Sequence, residues 1–233
     1  MLPETCLSPL EVTAMLSSPN PYHYPSQLEG LTRIERLFVF RDHPECIEVC
    51  CEVQPNRSYS VKDDSGNKVF SVTEADDCCG SQYAERFFVM NVTDNLNREV
   101  IRLVHPSVCT RCSSHELEVQ SPPGTPIGYV RQNWHILLPK FTVENERGEP
   151  EFKIMGPSVF WTCCTDVNFE LVPLNAAAVE RSFGRIINPS YWAGPNPGAN
   201  FVLEFPSSLQ VKMKATVLGA CILIHNMYYE NKQ

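Results

Sequence analysis

From Leu31 onward, apolar and polar residues alternate in short runs separated by turn-forming clusters, which is the period-two pattern of strands that bury one face. Arg33 to Arg41 and Ile47 to Val53 predict the first two strands, and four hairpins follow. Tyr59 to Lys62 and Lys68 to Val72 flank Asp63-Asp64-Ser65-Gly66-Asn67, while Phe87 to Val92 and Glu99 to Val104 flank Thr93-Asp94-Asn95-Leu96-Asn97. Glu116 to Gln120 and Ile127 to Gln132 flank Ser121-Pro122-Pro123-Gly124-Thr125; Phe141 to Glu144 and Glu151 to Ile154 flank Asn145-Glu146-Arg147-Gly148. Consecutive hairpins make a meander. Two of them read as copies: Tyr59-Ser60-Val61-Lys62-Asp63 with Gly66 and Phe70 matches Phe141-Thr142-Val143-Glu144-Asn145 with Gly148 and Phe152, as in a curled antiparallel sheet whose halves are built alike.

The two ends break this pattern. Residues 1 to 28 carry Pro3, Pro9, Pro19, Pro21 and Pro25 without an apolar period and predict an extended, flexible tail, with one domain over 29 to 233. Near the other end a helix is expected over 212 to 229, apolar on every side at Val217, Leu218, Gly219, Ala220, Cys221, Ile222, Leu223 and Ile224. A helix of that kind must be buried in protein or in lipid. Its unbroken run is about ten residues where a bilayer takes about 20, and a longer span would put His225 and Asn226 in hydrocarbon. Length therefore favours a helix threaded through the middle of the β-domain.

A chain of 233 residues with 43% hydrophobic content can bury a real core as a single all-β domain. The formal charge of -8 argues against sequence-independent contact with nucleic acid, which needs clustered Lys and Arg. An anionic membrane also repels the chain on average, so attachment there calls for a local basic patch, a bridging divalent cation or buried hydrocarbon such as acyl chains. The start of the chain has no basic segment followed by a long apolar run, and the eleven cysteines are expected as thiols of a reducing compartment. Cys50-Cys51, Cys78-Cys79 and Cys163-Cys164 are vicinal, a spacing at which ordinary bridges within the pair do not form easily. The sequence has no GxSxG elbow, P-loop, Rossmann glycine triad or HExxH, so no enzyme chemistry and no catalytic residue is assigned.

Several ordered stretches carry a resemblance. They are Leu28-Glu29-Gly30-Leu31; Pro122-Pro123-Gly124-Thr125-Pro126-Ile127-Gly128-Tyr129-Val130 with Trp134-His135 and Leu138-Pro139-Lys140-Phe141-Thr142; Ile154-Met155-Gly156-Pro157; Asp166-Val167-Asn168-Phe169-Glu170; and Val211-Lys212-Met213-Lys214-Ala215 with Gly219-Ala220-Cys221. Over about residues 29 to 230 the chain resembles the phospholipid scramblases. The resemblance implies a tubby-like fold, mainly β: a closed antiparallel barrel wrapped around a central hydrophobic C-terminal helix. It implies calcium-stimulated, ATP-independent movement of phospholipids between leaflets, binding to anionic lipid, a place on the cytoplasmic face of the plasma membrane, and a homo-oligomer as one working form. The alternative is a docking module that binds anionic phospholipid and recruits partners without moving lipid.

Site residues follow from the same resemblance. The acidic segment proposed to bind calcium in the family matches Asn196 to Ser208, where acidic positions appear as Pro197, Ala199 and Ser208 and leave Asn200 and Glu204 as donors. Asp63, Asp64, Asp76 and Asp77 form a denser acidic cluster elsewhere. The palmitoylated stretch corresponds to Cys109-Thr110-Arg111-Cys112, with Cys163 and Cys164 as further acceptors. The same thiols with His115 have the makings of a zinc site, or stay unliganded. Lys212, Lys214, Arg181 and Arg185 are the candidates for lipid phosphate. The segment matching a nuclear import signal, Gly184 to Trp192, holds one basic residue, too few for import by that route.

Overall fold

Four hairpin turns frame the molecule in the computed structural model, which describes residues 26–42, 56–75, 88–106, 115–135, 138–157, 166–174, 182–190 and 196–229. After β1 (Arg36–Asp42) come the pairs β2 (Ser58–Lys62) and β3 (Lys68–Glu74), β4 (Phe88–Thr93) and β5 (Glu99–His105), β6 (Glu116–Gln120) and β7 (Pro126–Asn133), and β8 (Lys140–Asn145) and β9 (Pro150–Met155). In three of the turns a carboxylate or amide oxygen bends the chain: Asp63 Oδ1 accepts from the amides of Ser65 and Asn67, Asp94 Oδ1 from Leu96 and Arg98, and Asn145 Oδ1 from Arg147 and Glu149. Each of the four loops carries a residue of positive φ, at Gly66, Asn97, Gly124 and Gly148. Each pair also slips its register just before the turn, the signature of a bulged loop. The two hairpins that read as copies in sequence keep equivalent registers, Val61 opposite Phe70 and Val143 opposite Phe152.

Three further strands, β10 (Val167–Pro173), β11 (Gly184–Asn188) and β12 (Phe201–Glu204), continue the meander, and β12 pairs with β1 to close an antiparallel barrel of twelve strands. The two copied hairpins lie six strands apart in this ring, on opposite sides. Burial alternates along β2, β4 and β6, so every second side chain points inward. Ile47 to Val53, expected as a strand, lies outside the described residues.

The inward side chains meet α1 (Val211–Tyr228), whose residues from Met213 to His225 are all buried. That pattern requires protein on every side of the helix. Its packing is closest where side chains are smallest. A Cβ on Gly219 would come within 2.9 Å of Val119 and 3.1 Å of Leu117, and one on Gly128 of β7 would come within 2.6 Å of Thr216 Oγ1. The expected fold class is thus what the chain adopts: mainly β, a closed barrel around a central C-terminal helix.

A 3-10 turn, Ser26–Leu31, covers the end of the barrel where the helix enters and buries Leu28 and Leu31 completely. It displaces the start of the first strand from the expected Arg33 to Arg36. The reason is Lys214, whose ammonium donates to the carbonyls of Leu31, Thr32 and Ile34 at 3.1, 3.1 and 2.8 Å and so holds that backbone away from the sheet. The four hairpin turns share this end, the turn rim. The helix terminates at the opposite end, the far rim, where β1, β3, β5, β7, β9 and β11 also end.

Candidate membrane-facing rim and charged groove

At the far rim a polar and aromatic network fastens the helix end to the strands. Tyr59 of β2 bonds His225 Nδ1 at 2.9 Å, and the imidazole meets the rings of Tyr59 and Phe201 edge-on and stacks with Tyr229. Burial pushes the Tyr229 hydroxyl up to about 12, so it stays protonated. Arg57 donates to Asn226 Oδ1 at 2.7 Å, pairs with Glu74 and lies 5.4 Å over the Phe88 ring. Just past β7, Trp134 is 78% exposed, one of two large apolar side chains standing out among the described residues.

Burial alone would raise the Glu74 carboxyl, but hydrogen bonds and charge from Arg57 outweigh it and hold the group below its ordinary value. A carboxyl lowered in this way contributes stability above pH 4.5, and that contribution is lost as pH falls through the folded-state value. Glu74→Gln should therefore lower stability by about 1–2 kcal/mol at pH 7 and leave a shallower acid limb, read by urea melts from pH 7 to 3. Parallel acid limbs in the two proteins would contradict it.

At the turn rim the outer face carries charges that alternate in sign across four neighbouring strands. Arg36 of β1 stands opposite Glu204 of β12, which stands opposite Arg185 of β11, which stands opposite Glu170 of β10. Arg185 Nε holds Glu204 at 2.7 Å, and Arg36 Nε holds Asp64 at 2.8 Å. These residues line an open groove of about 620 Å³ together with Glu35, Phe183 and Pro206. Four carboxylates against two guanidiniums make it net acidic, so it does not suit a lone anion.

A family description, Scramblase, matches residues 15–231. The chain belongs to the scramblase family. It is 39% identical to phospholipid scramblase 2 of Bos taurus over 96% of this chain and 78% of that protein. It is 40% identical to phospholipid scramblase 1 of Mus musculus over 93% of this chain and 67% of that protein, and 33% identical to phospholipid scramblase family member 5 of Homo sapiens over 89% and 78%. No solved structure matches.

Within this scramblase the two calcium donors expected from the sequence stand at opposite ends of β12, about 13 Å apart at the rise of a strand. Asn200 Oδ1 accepts from the Arg41 amide at 2.6 Å and Glu204 is committed to Arg185, so the pair does not converge on one ion. Asp63 caps its own turn, Asp64 pairs with Arg36, and Asp76 and Asp77 lie outside the described residues. Among the described residues no group of three or more His, Cys, Asp and Glu is placed to hold a metal.

The phosphate candidates also separate. Lys214 is fully buried on three carbonyls and over the Phe205 ring, which corrects its expected role: no headgroup reaches it. Two positions along a helix turn a side chain through about 200°, so Lys212 points the other way, to Glu146 at 3.1 Å. Arg185 is half-exposed but paired, and Arg181 lies outside the described residues. Cys109, Cys112, Cys163 and Cys164 lie outside them too. The described cysteine is Cys221, in the middle of α1, where burial pushes its thiol up and leaves it inert. The strand ends nevertheless carry information. In sequence, Cys46, Cys50, Cys51, Cys78, Cys79, Cys109, Cys112, Cys163 and Cys164 all fall between strands that meet at the far rim. Sequence reasoning missed this because a connection has no side until the barrel closes.

Proposed function

We propose that this protein moves phospholipids between the leaflets of a bilayer without ATP, working from the cytoplasmic face with its far rim toward the lipid. The observation that carries this reading is identity of about 40% to proteins named phospholipid scramblase across almost the whole barrel and helix. Trp134 supports the orientation, because an exposed indole favours the interface between headgroup and chain. Acyl chains on cysteines of the connections at that rim would add to the attachment, two being about the minimum for stable anchoring. No described helix is long and apolar enough to cross a membrane, and α1 fills the barrel. Lipid would then pass outside the barrel, across bilayer thinned by an assembly of copies. Calcium is a further proposal: an ion at the turn rim would compete with Arg185 for Glu204.

A second reading, a module that docks on anionic lipid and moves none, is favoured by the filled lumen, which offers headgroups no polar path. One assay separates the two. Purified protein is added to vesicles carrying a fluorescent lipid, with and without calcium, and quenched from outside. Quenching well beyond the outer-leaflet half supports translocation, whereas binding with quenching held at half supports docking. Trp134→Ala should weaken vesicle binding by about tenfold in either case, since moving much of an indole out of water contributes about 1.5 kcal/mol or more. Unchanged binding would overturn the orientation.

A further inference from the structure

At the far rim the ends of β7 and β9 bracket the start of β8, and one lysine stands there without a partner. Register places Asn133 of β7 and Met155 of β9 directly opposite Lys140 of β8, so the three share the outer face of the barrel. The ladder runs one step past Lys140 toward the rim, because the Gly156 amide donates to the Pro139 carbonyl at 2.8 Å. Lys140 is therefore fixed on sheet and not on a loop. Neither neighbour holds its ammonium: Asn133 Oδ1 accepts from Thr142 Oγ1 at 3.0 Å, and Met155 carries no charge. The next cations on this face are engaged, Arg131 with Glu116 and Glu144 at 3.3 and 3.0 Å and Lys153 with the Leu174 carbonyl at 2.9 Å. Lys140 makes no hydrogen bond or ion pair among the described residues.

An independent observation lies one residue beyond Asn133, where Trp134 stands exposed. An indole and a lysine side by side are groups that settle together at a membrane surface: the ring lies at headgroup level, and the lysine buries its methylene stem while its charge stays with the phosphates. Along the row through Lys140 the first carboxylate is Glu170, opposite Met155 and two strands away. At strand spacing that is about 10 Å, roughly one Debye length in physiological salt, so it does not neutralise Lys140. Resting on the reading that the far rim faces lipid, we propose that one corner of that rim makes the contact, at the ends of β7 and β9 and the start of β8. There Trp134 enters the interface and the Lys140 ammonium binds the phosphate of an anionic phospholipid. A chain of net charge -8 is repelled by such a surface on average, and this corner gives it a local exception.

The test floats the full chain with vesicles of phosphatidylcholine alone and of phosphatidylcholine with phosphatidylserine, at low and at physiological salt. Lys140→Gln should weaken binding to the phosphatidylserine vesicles by about fivefold, the effect of one lysine near an anionic surface, with a smaller loss on phosphatidylcholine alone and at the higher salt. Lys140→Arg keeps the charge and should bind as the wild type does. Lys68→Gln removes an exposed lysine at the turn rim and should change nothing. Melts by circular dichroism report whether each variant is folded; should Lys140→Gln not fold, Lys140→Met, which keeps the stem, takes its place. Wild-type binding by a folded Lys140→Gln, an equal loss on neutral vesicles, or an equal loss in Lys68→Gln would each overturn the proposal. Trp134→Ala, measured alongside, separates this contact from the orientation. A loss in Trp134→Ala with none in Lys140→Gln removes the phosphate contact alone, whereas no loss in either removes the facing of the far rim as well.

Discussion

Leu218→Asp is expected to abolish the cooperative unfolding transition, because position 218 lies in the middle of α1 with no exposure and the helix is the common core of the strands around it. A carboxylate there has no partner and no route to water. Leaving an uncompensated charge in such a site costs roughly 3–5 kcal/mol beyond the lost apolar contacts, and a domain is stable by only about 5–15 kcal/mol. The control is Leu96→Asp at the tip of the β4–β5 turn, where the native side chain is 71% exposed and the change should stay within about 0.5 kcal/mol. The measurement is thermal melting by circular dichroism with vesicle flotation alongside. A Leu218→Asp protein that melts like the wild type but no longer floats would mean that α1 is an anchor and the strands stand without it.

Lys214→Met is expected to lower stability by about 2–4 kcal/mol, read from urea denaturation. The substitution keeps the volume of the stem but removes the ammonium that serves three carbonyls and sits 5.4 Å over the Phe205 ring. Those carbonyls belong to the 3-10 turn and the residues after it, which cover the barrel end where the helix enters. Loss should thus be local first: amides near Leu31, Thr32 and Ile34 should exchange with deuterium faster well before strands such as β7 and β8 do. Lys212→Met removes an exposed ion pair with Glu146 and should change stability by less than about 1 kcal/mol. Equal effects at 212 and 214 would show that the ammonium of Lys214 does not hold the turn.

The contrast between these two lysines also marks what local sequence can tell. Side by side in Lys212-Met213-Lys214 they look alike, and a basic pair before an apolar helix reads as a phosphate contact. Only the barrel around the helix decides that one faces a turn carboxylate and the other three backbone carbonyls. The same holds for the charge row Arg36, Glu204, Arg185 and Glu170, which exists only because the first strand meets the last.

The hairpins are another matter. From β2 to β9 the expected strands agree with the observed ones to within one or two residues, and two turns were recognisable as copies. A hairpin's register follows from its own turn: the Asp or Asn oxygen, the positive-φ residue and the bulge sit within a few residues of the strands they align. The helix was equally legible, because ten apolar residues in a row leave burial as the only outcome in water and are too few to cross a bilayer. By itself, then, the sequence determined the hairpins, the buried helix and the family. Tertiary structure decided the pairing of β1 with β12 and the loss of water by Lys214, because both depend on contacts between residues more than a hundred positions apart that no local pattern encodes.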